Sequence, residues 1–305
     1  MTNTSIYHDI ATRTGGDIYL GLVGPVRTGK STFIKRFMET LVIPNIEDVY
    51  ARERAKDELP QSGSGRTIMT AEPKFVPEDA VSVTLDGGVS FSVRLIDCVG
   101  YMVDGASGQF EDGVERMVAT PWFEDEVPMS RAAEEGTRRV IMDHSTIGVV
   151  MTTDGSVCGI PRESYVPAEE RVVSELRGIG KPFVLVLNSA DPASEEAQAL
   201  RSELEEKYGV ACICVNCLEL SADDIDDILK LALYEFPIAE LGIYLPSWLD
   251  ALSDDAPLRS GILGAIAESV QNMSRVRDAF GIMGALGERE EVDSAGVTAI
   301  EMGTG

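Results

Sequence analysis

The chain has 305 residues, 44% of them hydrophobic, with 29 glycines and 14 prolines, which is enough to bury a full core and carry an appendage. Its 51 acidic residues against 26 basic ones give a formal charge of -25. That field repels nucleic acid and anionic lipid, so neither is expected as a direct partner, whereas a protein with a basic patch is not excluded.

In chain order, DIYLGLV (Asp17–Val23) reads as a buried strand. In the next segment Phe33, Ile34, Phe37, Met38 and Leu41 recur at helical spacing, and Pro44 stops the helix. Residues 45–70 are charged and then turn-rich, which predicts a short helix and a loop that orders on binding. EPKFVP, VSVTL and VSFSVRLID follow, the last two pairing as a hairpin around Gly87 and Gly88. Residues 101–130 are irregular, and a charged helix runs from about Ser130 to Asp143. Ile147–Thr153, Phe183–Asn188 and Val210–Asn216 read as further buried strands separated by helices.

This alternation predicts an α/β fold with a mostly parallel sheet and helices on both faces. Ser221 with Asp224 opens a last helix whose apolar stripe is Ile225, Ile228, Leu229 and Ala232, closing a first domain over 1–236. In the remainder, 237–305, LGIYLPSWLDAL predicts one strand and a turn, and Leu258–Ala279 one helix. The last twenty or so residues are glycine-punctuated and poorly patterned. So short a segment reads as the start of a second α/β module.

The five cysteines give no disulfide framework and the N-terminus shows no basic-then-apolar leader, which fits a cytoplasmic compartment. Cys214 and Cys217 have the spacing of half a zinc site, but no second pair accompanies them, and packing in a strand is the favoured reading. No apolar run is long enough to span a bilayer.

GPVRTGKS (Gly24–Ser31) matches the P-loop pattern, with a strand before it and a helix after. The loop Gly24, Pro25, Val26, Arg27, Thr28 and Gly29 is expected to turn its amides toward phosphate oxygens. Lys30 is expected to reach the β- and γ-phosphates, Ser31 to give its hydroxyl to Mg²⁺, and Thr32 to complete the helix N-terminus. In RLIDCVG, Asp97 is placed to hold a Mg²⁺-bound water and Gly100 to sense the γ-phosphate. In GRTIMTAEP a switch threonine is expected on Mg²⁺, Thr70 first and Thr67 second.

LVLNSAD keeps Asn188 and Asp191 of the guanine-reading pattern but has Ser189 where a lysine packs on the base, so ATP is favoured with GTP as the alternative. Arg27 stands where several nucleotide switches have a potassium-binding asparagine. Its guanidinium is a candidate for direct contact with the phosphates, against a solvent-facing or interfacial role. Tyr101 follows Gly100 where a water-positioning glutamine is absent, and Gln109 is a weak substitute.

Taken together, GPVRTGKSTFIKRF, GRTIMTAEPKFVP, RLIDCVGY, TTDGS and YLPSWLDAL resemble the stage IV sporulation protein A family of endospore-forming bacteria. The resemblance implies a fold of the translation-factor-related GTPase type that hydrolyses ATP and self-associates into a polymer. It implies 1–236 as the ATPase domain and 237–305 as part of a middle domain, the family continuing beyond. Lys30, Ser31, Thr70 and Asp97 take the catalytic and metal positions, and Ala71 stands where some relatives have a second threonine.

The implied place is the cytoplasmic, mother-cell side of the outer forespore membrane. There the polymer forms the basement layer of the spore coat, with a small amphipathic membrane peptide as anchor and other coat proteins as partners. Two other readings remain, a regulatory GTPase switch and a scaffold that does not hydrolyse nucleotide.

Overall fold

The computed structural model describes residues 3–60, 73–85, 88–106, 110–111, 113–271, 273–287 and 292–305. Thr67, Thr70, Ala71 and Gln109 lie outside them.

The apolar run Asp17–Val23 forms β1 at the middle of a six-stranded sheet, flanked by parallel neighbours on both sides. Lys74–Leu85 (β2) and Val89–Asp97 (β3) pair antiparallel, turning at Gly88 with φ 79°. KFVP and VSVTL therefore belong to one strand, which is interrupted by an irregularity between Val76 and Val81. Pro77 falls in that irregularity on an edge strand, where its missing N–H costs no ladder bond. Two ribbons follow, β4 (Phe110–Glu111) with β5 (Val114–Glu115) and β6 (Met117–Val118) with β7 (Val127–Pro128). They fall within the stretch expected to be irregular. Ile147–Thr153 (β8), Phe183–Asn188 (β9) and Cys212–Val215 (β10) complete the order β10-β9-β8-β1-β3-β2, with every pair parallel except β2 with β3.

Both faces of this sheet are covered. On one lie α1 (Asn3–Thr14), α2 (Lys30–Phe37, continued by a wider turn over Met38–Val42) and α7 (Ala222–Tyr234). They pack Ile10, Phe33, Phe37 and Ile228 onto Leu20, Leu95 and Val149. On the other lie α4 (Met129–Arg139), α5 (Val166–Ile179) and α6 (Glu195–Tyr208), whose Met129, Val172 and Leu204 meet Ile96, Val150 and Leu185. A short helix, α3 (Val49–Asp57), sits beside β2. Ser221 and Asp224 form the expected reciprocal cap, and the stripe Ile225, Ile228, Leu229 and Ala232 is buried. Helix α1 carried no strong amphipathic pattern and was not anticipated.

The C-terminal part differs from expectation in two places. LGIYLPSWLDAL forms an open stretch and a turn instead of a strand, with Tyr244 and Trp248 facing solvent. The single helix expected over Leu258–Ala279 is two, α8 (Pro257–Val270) and α9 (Asp278–Gly287). The Asp278 carboxylate captures the Ser274 and Arg275 N–H groups at 2.9 and 2.8 Å, and this local cap interrupts the helical ladder. Arg275 and Arg277 also reach the buried Glu235 at the end of α7, and Val276 and Met302 join the core below α1. Among the described residues no helix is long and apolar enough to cross a membrane.

Candidate functional site

Between β1 and α2 the backbone turns through Gly24 (φ 134°), Arg27 (φ 65°) and Gly29 (φ 97°). A Cβ on Gly24 would lie 2.2 Å from the Met151 carbonyl, and one on Gly29 2.4 Å from the Asn188 amide, so only glycine fits either place. Thr28 is buried and donates its hydroxyl back to the Pro25 carbonyl at 3.0 Å. Lys30 opens α2, and its Nζ donates to the Pro25 carbonyl at 2.6 Å and the Gly24 carbonyl at 3.4 Å. Burial lowers its pKa, because the ammonium is removed from water beside neutral carbonyls. Ser31 and Thr32 follow on the first turn, both half-buried.

At the end of β3, Asp97 accepts the Ser31 hydroxyl on Oδ2 at 2.5 Å, while its buried Oδ1 has no partner. Burial raises its pKa, opposed by the Ser31 hydrogen bond and by Lys30 and Lys74. An unsatisfied carboxylate oxygen next to a hydroxyl is the hard-oxygen donor set that suits Mg²⁺. Among the described residues no three His, Cys, Asp or Glu side chains gather as a metal cluster, so a cation here would draw its remaining ligands from water and phosphate. Among the described residues no such set gathers around Cys212, Cys214 and Cys217 either; Cys212 and Cys217 are buried and Cys214 half-buried.

Gly100 (φ 92°) lies so close that a Cβ would meet the Gly24 carbonyl at 2.2 Å and Lys30 Nζ at 2.5 Å. Tyr101 then bonds back to the first loop, its N–H to the Gly24 carbonyl at 3.1 Å and its carbonyl to the Val26 N–H at 2.8 Å. Its buried ring turns away and its hydroxyl donates to Glu175 on α5.

Asn188, at the end of β9, is buried and bonds both the Thr28 carbonyl and the Cys217 N–H. Asp191 is exposed and accepts the Ala193 N–H at 3.3 Å, while Ser189 is buried and accepts the Asp191 N–H at 3.1 Å. Beneath this loop Asp154 accepts both the N–H and the hydroxyl of Ser156, and the Ser156 hydroxyl accepts the Ala190 N–H at 2.9 Å. The structure thus brings Gly24 to Ser31, Asp97, Gly100 and Asn188 together and leaves Asp191 on the rim. The Asp154–Ser156 support was missed; the Asp-Gly-Ser turn signal was legible in TTDGS.

Residues 1–237 match "Stage IV sporulation protein A, ATPase domain", and residues 238–305 match "Stage IV sporulation protein A, middle domain". The chain is 50% identical over 303 residues to the stage IV sporulation protein A of Clostridioides difficile, covering 99% of this chain and 62% of that relative. It is 49% identical over 305 residues to those of Bacillus subtilis and Bacillus anthracis, again spanning 62% of their length. With the phosphate-type loop and its Asp97 partner inside the first match and the whole chain covered by the two, this chain belongs to the stage IV sporulation protein A family.

Proposed function

We propose that residues 1–236 are a Mg²⁺-dependent ATPase and 237–305 a partial middle domain. The sheet order, with one antiparallel edge strand, supports the translation-factor-related GTPase type. Hydrolysis then drives a conformational change and self-association into the basement layer of the spore coat, on the cytoplasmic, mother-cell side of the outer forespore membrane. A small amphipathic membrane peptide and other coat proteins are the proposed partners. Membership of the family, across a chain with 62% of its relatives' length, supports this assignment.

The observation that carries the chemistry is the Asp97–Ser31 pair, with an orphan carboxylate oxygen beside the buried Lys30. Lys30, which here donates to the Pro25 carbonyl, would instead reach the β- and γ-phosphates, trading neutral acceptors for charged ones. Gly24 to Thr32 supply amides and the helix N-terminus, and Gly100 reports the γ-phosphate through its N–H. Ser31 and Asp97, with Thr70, would hold Mg²⁺, which would neutralise charge on the triphosphate. Arg27 adds positive charge from within the loop.

Asn188 shapes the base pocket and Asp191 reaches its edge. Ser189, buried against its own loop, offers no stem for a purine to lie on, which favours ATP. A GTPase switch is the second reading, favoured by the retention of Asn188 and Asp191. Turnover of ATP and GTP by wild type, Lys30→Ala and Asp97→Ala, with sedimentation to follow assembly, tests both. Mg²⁺-dependent ATP turnover lost in both variants supports the proposal; a strong GTP preference defeats it.

A further inference from the structure

Arg27 holds φ 65° without being glycine. Such a backbone is strained and persists only where its surroundings fix it. Two side chains from the segment between β8 and α5 do so. The Arg27 carbonyl accepts from Cys158 Sγ at 3.4 Å, and the same sulfur lies 2.8 Å from the Tyr165 hydroxyl.

A thiol has one proton. Directed at the Arg27 carbonyl, it leaves the sulfur to accept from Tyr165, so donation runs from the Tyr165 hydroxyl to Cys158 to the Arg27 backbone. Tyr165 is fully buried at the start of α5. One turn on, the buried Glu169 accepts from Arg162, Thr152 and Tyr208, locking the segment to β8 and α6.

The other end of Arg27 is unsatisfied. Its Nε and Nη2 are shielded and without acceptors, and Asp97 Oδ1 at the end of β3 is likewise without a donor. Burial lowers the Arg27 pKa, with Cys158 and Tyr165 opposing, so the guanidinium lies within the field of both. Shielded N–H groups on a half-buried guanidinium are costly to leave without acceptors unless an anion completes them. We infer that Tyr165 and Cys158 are positioning residues that fix the backbone of Arg27 so that its guanidinium meets the triphosphate, an inference that rests on the nucleotide reading above.

Tyr165→Phe removes only the hydroxyl. It should lower kcat about tenfold, leave KM for ATP within about twofold, and add no further loss in an Arg27→Ala background. Cys158→Ala should behave alike, and Cys158→Ser, whose hydroxyl can relay the bond, should recover most of the rate. Wild-type kcat in Tyr165→Phe, or losses that multiply with that of Arg27→Ala, would overturn the inference.

A readout independent of turnover is alkylation of Cys158 by iodoacetamide, with Cys214 as internal reference. Mg²⁺ with a non-hydrolysable ATP analogue should draw the guanidinium from the thiol and slow alkylation about threefold or more in wild type, and not in Arg27→Ala. Turnover that depends on Lys30, alongside a Cys158 rate indifferent to the analogue, sinks the positioning role and leaves the ATPase standing. A Cys158 response without turnover keeps the positioning role and sinks hydrolysis.

Discussion

Asn188 donates its side-chain amide to the Thr28 carbonyl at 3.0 Å, so one buried residue ties the loop after β9 to the phosphate-type loop. Its Oδ1 also accepts the Cys217 N–H at 3.0 Å. Asn188→Ala strands a buried carbonyl and a buried N–H, at a cost of about 2–4 kcal/mol. Urea denaturation should show a midpoint lowered to match; an unchanged midpoint would mean that water replaces both bonds.

Asp97 is held above the ordinary carboxylate range, chiefly by burial. Its charged form is therefore disfavoured in the fold, and the stability it contributes is greatest at low pH and lost as pH rises through its folded pKa. Without nucleotide, Asp97→Asn, which keeps an acceptor for Ser31, should melt above wild type where Asp97 is charged, the gap narrowing as pH falls through its raised folded pKa toward the ordinary carboxylate range. Calorimetry on both proteins across that fall in pH is the check. A gap independent of pH contradicts the assignment of the shift to burial.

Gly100 and Gly88 separate close approach from backbone freedom. Both have positive φ, but a Cβ at Gly100 meets the Gly24 carbonyl and Lys30, whereas at Gly88 nothing lies within 4 Å. Gly88→Ala should cost about 1 kcal/mol through φ alone. Gly100→Ala should cost at least about 2 kcal/mol more and weaken Mg·ATP binding, because the two loops must part. Equal stability losses in denaturant titrations would refute the crowding.

Glu235 is a fully buried carboxylate shared by Arg275 and Arg277, with the Ala211 N–H on Oε1. Glu235→Gln leaves two guanidinium groups short of charge at a cost of about 3 kcal/mol. Hydrogen exchange should rise from residue 271 onward and at the start of β10, with β1 and β3 little changed. Exchange confined to the substitution itself would show that the segment is held by packing alone.

Much of this was legible in the sequence where periodicity and turn chemistry agree. β1, β8 and β9 are short apolar runs between turn signals, and Ser221 with Asp224 announces its helix from four residues. The glycines at 24, 29 and 100 were readable as loop residues, though not the atoms they make room for. Elsewhere tertiary forces decide. Apolar spacing continues across Gln271–Arg277, but Asp278 and Glu235 capture that stretch and split the helix. The Tyr165–Cys158–Arg27 chain joins residues 131 apart and had no local signal. Asp191 fits the motif by spacing, yet it lies exposed at the rim.

The reciprocal backbone bonds between Tyr101 and the pair Gly24 and Val26 work as a gear. With these bonds kept, a shift of one loop moves the other, and the Tyr101 hydroxyl links both to Glu175, which Arg171 joins to Glu134 on α4. A displacement of an ångström beside the phosphates would thus emerge as torque on a pair of outer helices, a surface that neighbouring molecules can feel.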